Sequence, residues 1–141
     1  MNAAALVFEP ALLTQYELAT KVGDPDSPDG QTEVVVRGDG SFQAMQRGAH
    51  EKGAETHAKL QTPQVELVMR SATQFDWAAS FPPRPGIPDE PIVDFSLRAP
   101  HGRVVTTRMW LRDVEKGAMT GEVLTVLRQA LERASDGRMF L

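Results

Sequence analysis

Tyr16, Leu18, Thr20 and Val22 alternate with Glu17, Ala19 and Lys21, the period of a strand with one buried face. Begun at Pro10, the same stretch also sets Leu12, Tyr16 and Ala19 at helical spacing with Gly23 as a C-cap. Residues 10–22 therefore carry both readings, with strand preferred. Gly23 to Gly30 holds two prolines and two glycines among its aspartates and can only be a loop. Beyond it, Thr32–Arg37 and Ser41–Gln46 flank Gly38-Asp39-Gly40, a three-residue hairpin connection in which a glycine takes the left-handed position. If Arg37 faces Ser41, Val36 meets Phe42 and Val34 meets Ala44, which places both apolar sets on one side. Residues 48–60 are polar, glycine-bearing and aperiodic, and predict a mobile loop.

Thr62-Pro63 supplies an N-cap and a proline at the first helical position, and Val65, Val68, Met69, Ala72 and Phe75 recur every 3–4 residues. They predict an amphipathic helix of about four turns. Residues 81–91 hold five of the ten prolines and form a rigid Pro-rich connector. Val93, Phe95 and Leu97 then alternate with Asp94, Ser96 and Arg98, and Pro100-His101-Gly102 turns the chain into Val105, Thr107, Met109 and Leu111. Pairing Leu97 with Val105 sets Asp94 opposite Arg108 and Ile92 opposite Trp110. Thr120 caps a last helix whose Val123, Leu124, Leu127, Ala130, Leu131 and Ala134 face inward, closed by Asp136-Gly137.

The order β-β-β-α-β-β-α, with both helices apolar on one side only, predicts an α+β fold. Its antiparallel sheet has four or five strands and carries two amphipathic helices on one face. A chain of 141 residues is expected to form a single domain, 1–141, around one core. The other sheet face carries Val35, Met45, Ile92 and Trp110 among polar residues, a half-apolar surface suited to a partner or to a second copy in a homodimer.

Composition narrows the function classes. The chain has no Cys, which removes disulfide scaffolds, Cys-ligated metals and Cys nucleophiles and fits a reducing cytoplasm. Glu9-Pro10 interrupts the apolar N-terminus and no apolar run approaches about 18 residues, so neither a signal peptide nor a membrane span is expected. Residues 1–97 hold 7 basic and 14 acidic residues, whereas residues 98–141 hold 8 and 5. An acidic body with a mildly basic final third does not offer the concentrated basic face that nucleic acid requires.

Asp24, Asp26 and Asp29 with Gly30 resemble the first half of a calcium loop. The EF-hand order needs an acidic residue at position 5, where Pro28 stands, and a bidentate Glu at position 12, where Val35 stands. A solvated Asp-rich turn is the plainer reading, with a small-ligand or calcium-binding domain as the alternative. His50-Glu51 and Glu55-x-His57 do not put two histidines four apart, as a zincin helix does, and read as exposed polar residues. Asp89, Glu90 and Asp94 form an acidic knot, but Asp94 has Arg108 as a structural partner. There is no G-x-S-x-G, Walker loop or G-x-G-x-x-G. Neither catalytic residues nor a cofactor are expected.

More informative are Arg108, Trp110 and Arg112, which alternate on the last strand and so project from one face as a cation–aromatic–cation row. Trp and Arg are enriched at binding hot spots. Trp77 and Arg84, beside the Pro-rich connector, add a second aromatic and basic surface. The bland alternative is that both tryptophans cover element edges with arginine stems packed on them.

The succession of hairpin, capped helix ending at Phe75-Asp76, Pro-rich passage, strand bearing Asp94 and Phe95, final hairpin and closing Leu124-x-x-Leu127 helix resembles emfourin-type proteins, small inhibitors of thermolysin-like metallopeptidases. The resemblance spans about residues 14–134. The glycine-rich N-terminal segment of that family has no counterpart in Met1–Thr20, and no inhibitory residue carries over. It implies a non-enzymatic, protein-binding cytoplasmic role, which agrees with the reading of the Arg/Trp row.

Overall fold

The first hairpin forms in the register its side chains dictate. In the computed structural model, which describes residues 6–24, 30–48, 53–75, 77, 90–137, 139 and 141, β2 (Gln31–Arg37) and β3 (Ser41–Arg47) pair antiparallel with Val36 facing Phe42 and Val34 facing Ala44. Gly40 N–H donates to Arg37 O at 2.9 Å and Gly40 sits at φ 98°, the left-handed position that closes a three-residue loop. The strand reading of the first segment holds for β1 (Glu17–Gly23). Pro10–Gln15 ahead of it winds into a 3-10 turn, so the helical spacing there expressed itself only upstream of Tyr16.

β1 is central. It pairs antiparallel with β2 and, across more than half of the chain, with β5 (Ile92–Ala99), which in turn pairs with β6 (Arg103–Trp110). Ile92 faces Trp110, Asp94 faces Arg108 and Leu97 faces Val105, as the alternation requires. The fold class stands, with one correction: the sheet has six strands, in the order β4-β3-β2-β1-β5-β6. The added strand is β4 (Ala54–Lys59), paired to β3, in what had read as the mobile loop 48–60. Its core-side residues are the small Thr56 and Ala58, so no apolar period marks it. Its ladder bonds come from β3, the strand before it, so pairing rather than an apolar period of its own makes it a strand. Of the 81–91 connector, residues 81–89 lie outside the described residues.

Helix α1 (Thr62–Thr73) has Gln61 at its N-cap, one residue earlier than expected. Gln64 Oε1 accepts the Gln61 N–H at 2.9 Å, half of a capping box. A short helix α2 (Leu111–Lys116) follows β6 directly, and Gly117 separates it from α3 (Ala118–Ser135), which starts two residues before Thr120. The core lies between the sheet and the two long helices. It joins Leu18, Val34, Val36, Phe42, Phe95 and Leu97 to Val65, Met69, Leu124, Leu127 and Leu131, all at most 1% exposed. Phe75 stacks on Phe95 at 4.8 Å between ring centres. At the far end, Ser135 Oγ donates to Leu131 O at 2.8 Å and accepts Met139 N–H at 3.1 Å, which folds the tail back on α3. No described helix is long and apolar enough to cross a membrane.

Candidate binding surface

The open face of the sheet is built by the residues between the core positions. Reading across it, register aligns Arg108, Asp94, Lys21 and Glu33 in one row and Arg98, Glu17 and Arg37 in another. Charge alternates in sign from strand to strand, so the first row neutralises itself and the second keeps one positive charge. Arg108 Nε lies 3.3 Å from Asp94 Oδ1 and Arg37 Nε lies 4.0 Å from Glu17 Oε1. These pairs are well exposed and contribute at most about 1 kcal/mol each. Between the charged rows run Thr106, Ser96, Ala19, Val35, Gln43 and His57. Val35, Met45, Ile92 and Trp110 are half-buried on this face.

The predicted Arg108/Trp110/Arg112 row is broken. Strand β6 ends at Trp110, which is the N-cap of α2 with φ −67° and ψ 138°, and Arg112 stands exposed on that helix. The reason lies in packing: Leu111 and Val114 turn into the core from one side of α2, and Val114 is fully buried. Alternation therefore stops where the helical period begins. Arg108 and Trp110 do share the open face. The indole nitrogen of Trp110 is shielded from solvent, so this ring is already partly engaged with the fold.

Trp77 is placed elsewhere and for a structural reason. Its indole N–H donates to Ala72 O at 2.9 Å and its ring packs on Phe75 at 4.8 Å, closing the end of α1 over the core. Arg84 lies outside the described residues, as do Asp26 and Asp29 of the acidic loop and His50 and Glu51. Asp24 is exposed beyond the end of β1. Among the described residues no group of three or more His, Asp or Glu is placed to hold a metal ion.

Two arrangements escaped the sequence reading. His57 and Glu55 stand on one face of β4, with Nε2 2.6 Å from Oε1, and Gln43 Nε2 donates to the same carboxylate oxygen at 3.3 Å. The signal available was the alternation of Glu55, His57 and Lys59 with Thr56 and Ala58. At the opposite end, His101 sits at φ 66° in the β5–β6 turn with Nε2 3.0 Å from Glu9 Oε2. Asp39 in the first hairpin is held below the ordinary carboxylate range, chiefly because its ionised oxygen accepts the Ser41 N–H at 2.8 Å, with Lys59 and Arg37 adding attraction.

Compared with known proteins, the sequence matches no family model and no curated protein.

Proposed function

We propose that the chain is a small non-enzymatic protein-binding module whose partner docks on the β5–β6 end of the open sheet face. The observation that supports this is local. There the rows of alternating charge give way to the facing pair Ile92 and Trp110, with Arg108 beside them and Arg112 two residues further on. An apolar pair with a guanidinium group beside it is the composition of a binding hot spot. The described helices pack on the other face of the sheet, so this end is not roofed by them. Alternating charge over the rest of the face disfavours a polyanion. Absence of Cys agrees with a cytoplasmic site of action. The resemblance to emfourin-type inhibitors makes a metallopeptidase the first partner class to try.

The test is capture from source-cell lysate on the immobilised chain, beside a copy carrying Arg108→Ser and Arg112→Ser. Both arginines are exposed, so the altered chain is expected to melt with the native one and to lose the protein that the native chain retains. Equal retention by both would move docking off this end of the sheet. Titration of a thermolysin-like metallopeptidase with the chain tests the inhibitor form directly; unchanged peptidase activity would remove it.

A further inference from the structure

The edge of the sheet remote from the proposed docking site is self-complementary. β4 is the terminal strand, and among the described residues it pairs with β3 alone. Leu60 N–H donates to Gly40 O at 2.8 Å, in line with the β3–β4 register. Backbone direction alternates along an antiparallel strand, so even-numbered residues of β4 turn their N–H and C=O groups to β3. Glu55, His57 and Lys59 turn theirs outward. The side chains of these same residues stand on the open face, exposed, whereas Thr56 and Ala58 point to the core side.

We propose that β4 pairs antiparallel with β4 of a second copy of this chain, about a two-fold axis through His57 normal to the sheet. Such an axis keeps each side chain on its own face, so outward-turned residues must meet outward-turned residues. With His57 opposite itself, Glu55 faces the partner subunit's Lys59 and Lys59 faces the partner subunit's Glu55. Each facing pair is one whose backbone groups are otherwise unused by the monomer's ladder, and each exchanges both N–H···O bonds. On the core side Thr56 meets the partner subunit's Ala58, small residues that leave the strands free to approach. Sliding the register by two residues would set Glu55 against His57 and carry Lys59 past the strand to Gly53, outside β4. A lone edge lysine ordinarily deters strand addition. Here the carboxylate at the mirrored position offsets it, which is why the second copy, rather than an arbitrary strand, is the fitting occupant. Gln43 and His57 already orient that carboxylate.

Sedimentation velocity of the full chain over a wide concentration range tests this, with His57→Pro, Glu55→Lys and Glu55→Lys/Lys59→Glu beside it. The native chain is expected to pass from monomer to dimer as concentration rises. Proline at position 57 removes an N–H that the monomer does not use, so His57→Pro should keep the native melting temperature and stay monomeric. Glu55→Lys sets like charges opposite each other on both sides of the axis and should raise the dimer dissociation constant about tenfold or more; adding Lys59→Glu should restore it. A native chain that stays monomeric throughout overturns the proposal, as does a folded His57→Pro or Glu55→Lys chain that dimerises like the native one. A folded double variant that fails to recover dimer also overturns it, and would point to an extended strand of another protein. Should His57→Pro not fold, the charge pair decides alone.

Discussion

Thr20 shows how one hydroxyl can run against its surroundings. It lies on the core face of β1, 0% exposed, between Val34 and Phe95 on the flanking strands, and its Oγ1 has no hydrogen-bond partner among the described residues. A buried unsatisfied hydroxyl costs stability, and valine has the same shape without it. Thr20→Val is therefore expected to stabilise the protein by about 1 kcal/mol, read from the urea midpoint; a loss would mean that the hydroxyl is satisfied in solution. Tyr16 is the contrasting case. It is 2% exposed and its phenolic oxygen accepts the Glu9 N–H at 2.9 Å, so Tyr16→Phe strands that donor and should cost about 1 kcal/mol in the same assay. Asp39 contributes a pH dependence of its own. Its folded pKa is lowered, so its contribution is present above the unfolded carboxylate value and fades as pH falls through the lower folded value. An NMR titration should find Asp39 ionising below the ordinary carboxylate range, and Ser41→Pro, which deletes the backbone donor, should bring it back towards that range.

At the level of elements, period sufficed where matching apolar faces meet across a short turn and failed where an element carries little apolar pattern of its own. The β2–β3 and β5–β6 hairpins carry matching apolar faces across short turns, and each formed in the register its residues specify. Helices α1 and α3 carry continuous apolar stripes; both start earlier than expected, and α1 ends at Thr73, two residues short of Phe75. β4 was lost because its inward residues are small, and α2 because it starts at the residue where β6 stops. Close approach between elements is equally unreadable from period. A Cβ at Gly38 would lie 1.7 Å from Leu13 O, because the 3-10 turn and the first hairpin meet there and Gly38 N–H donates to Tyr16 O at 2.8 Å. Gly38→Ala is accordingly expected to destabilise by about 2 kcal/mol or more, an overpacking penalty set by backbone, whereas Gly102, with no atom near such a Cβ, bears only the conformational cost. For the core between elements, Phe95→Ala removes a ring that bridges β5 to Phe75 and should cost about 3–5 kcal/mol in chemical denaturation.

For the molecule as a whole, the core lies on one side of the sheet, and the proposed docking site and dimer edge lie on its other face and at β4. The ion pairs of the open face are exposed, so Asp94→Asn should change the unfolding free energy by less than about 1 kcal/mol, while Arg108 and Arg112 are expected to matter for capture. Trp110 is a less clean probe than its position on the strand implied. Its partly shielded ring means that Trp110→Ala should lower the melting temperature as well as any binding.

The sequence by itself determined which face each residue takes, because a period of two or of 3.6 says on which side of an element a side chain lies. From that came the α+β class, both hairpin registers, the apolar stripes of both long helices and the facing of Asp94 with Arg108. Only the tertiary structure decided which elements are neighbours: β1 at the centre beside β5, β4 recruited to the edge by β3, and Arg112 carried off the row by a helix that Val114 anchors in the core. Such choices depend on pairing and burial between separate segments, a free energy that a period read within one segment does not contain.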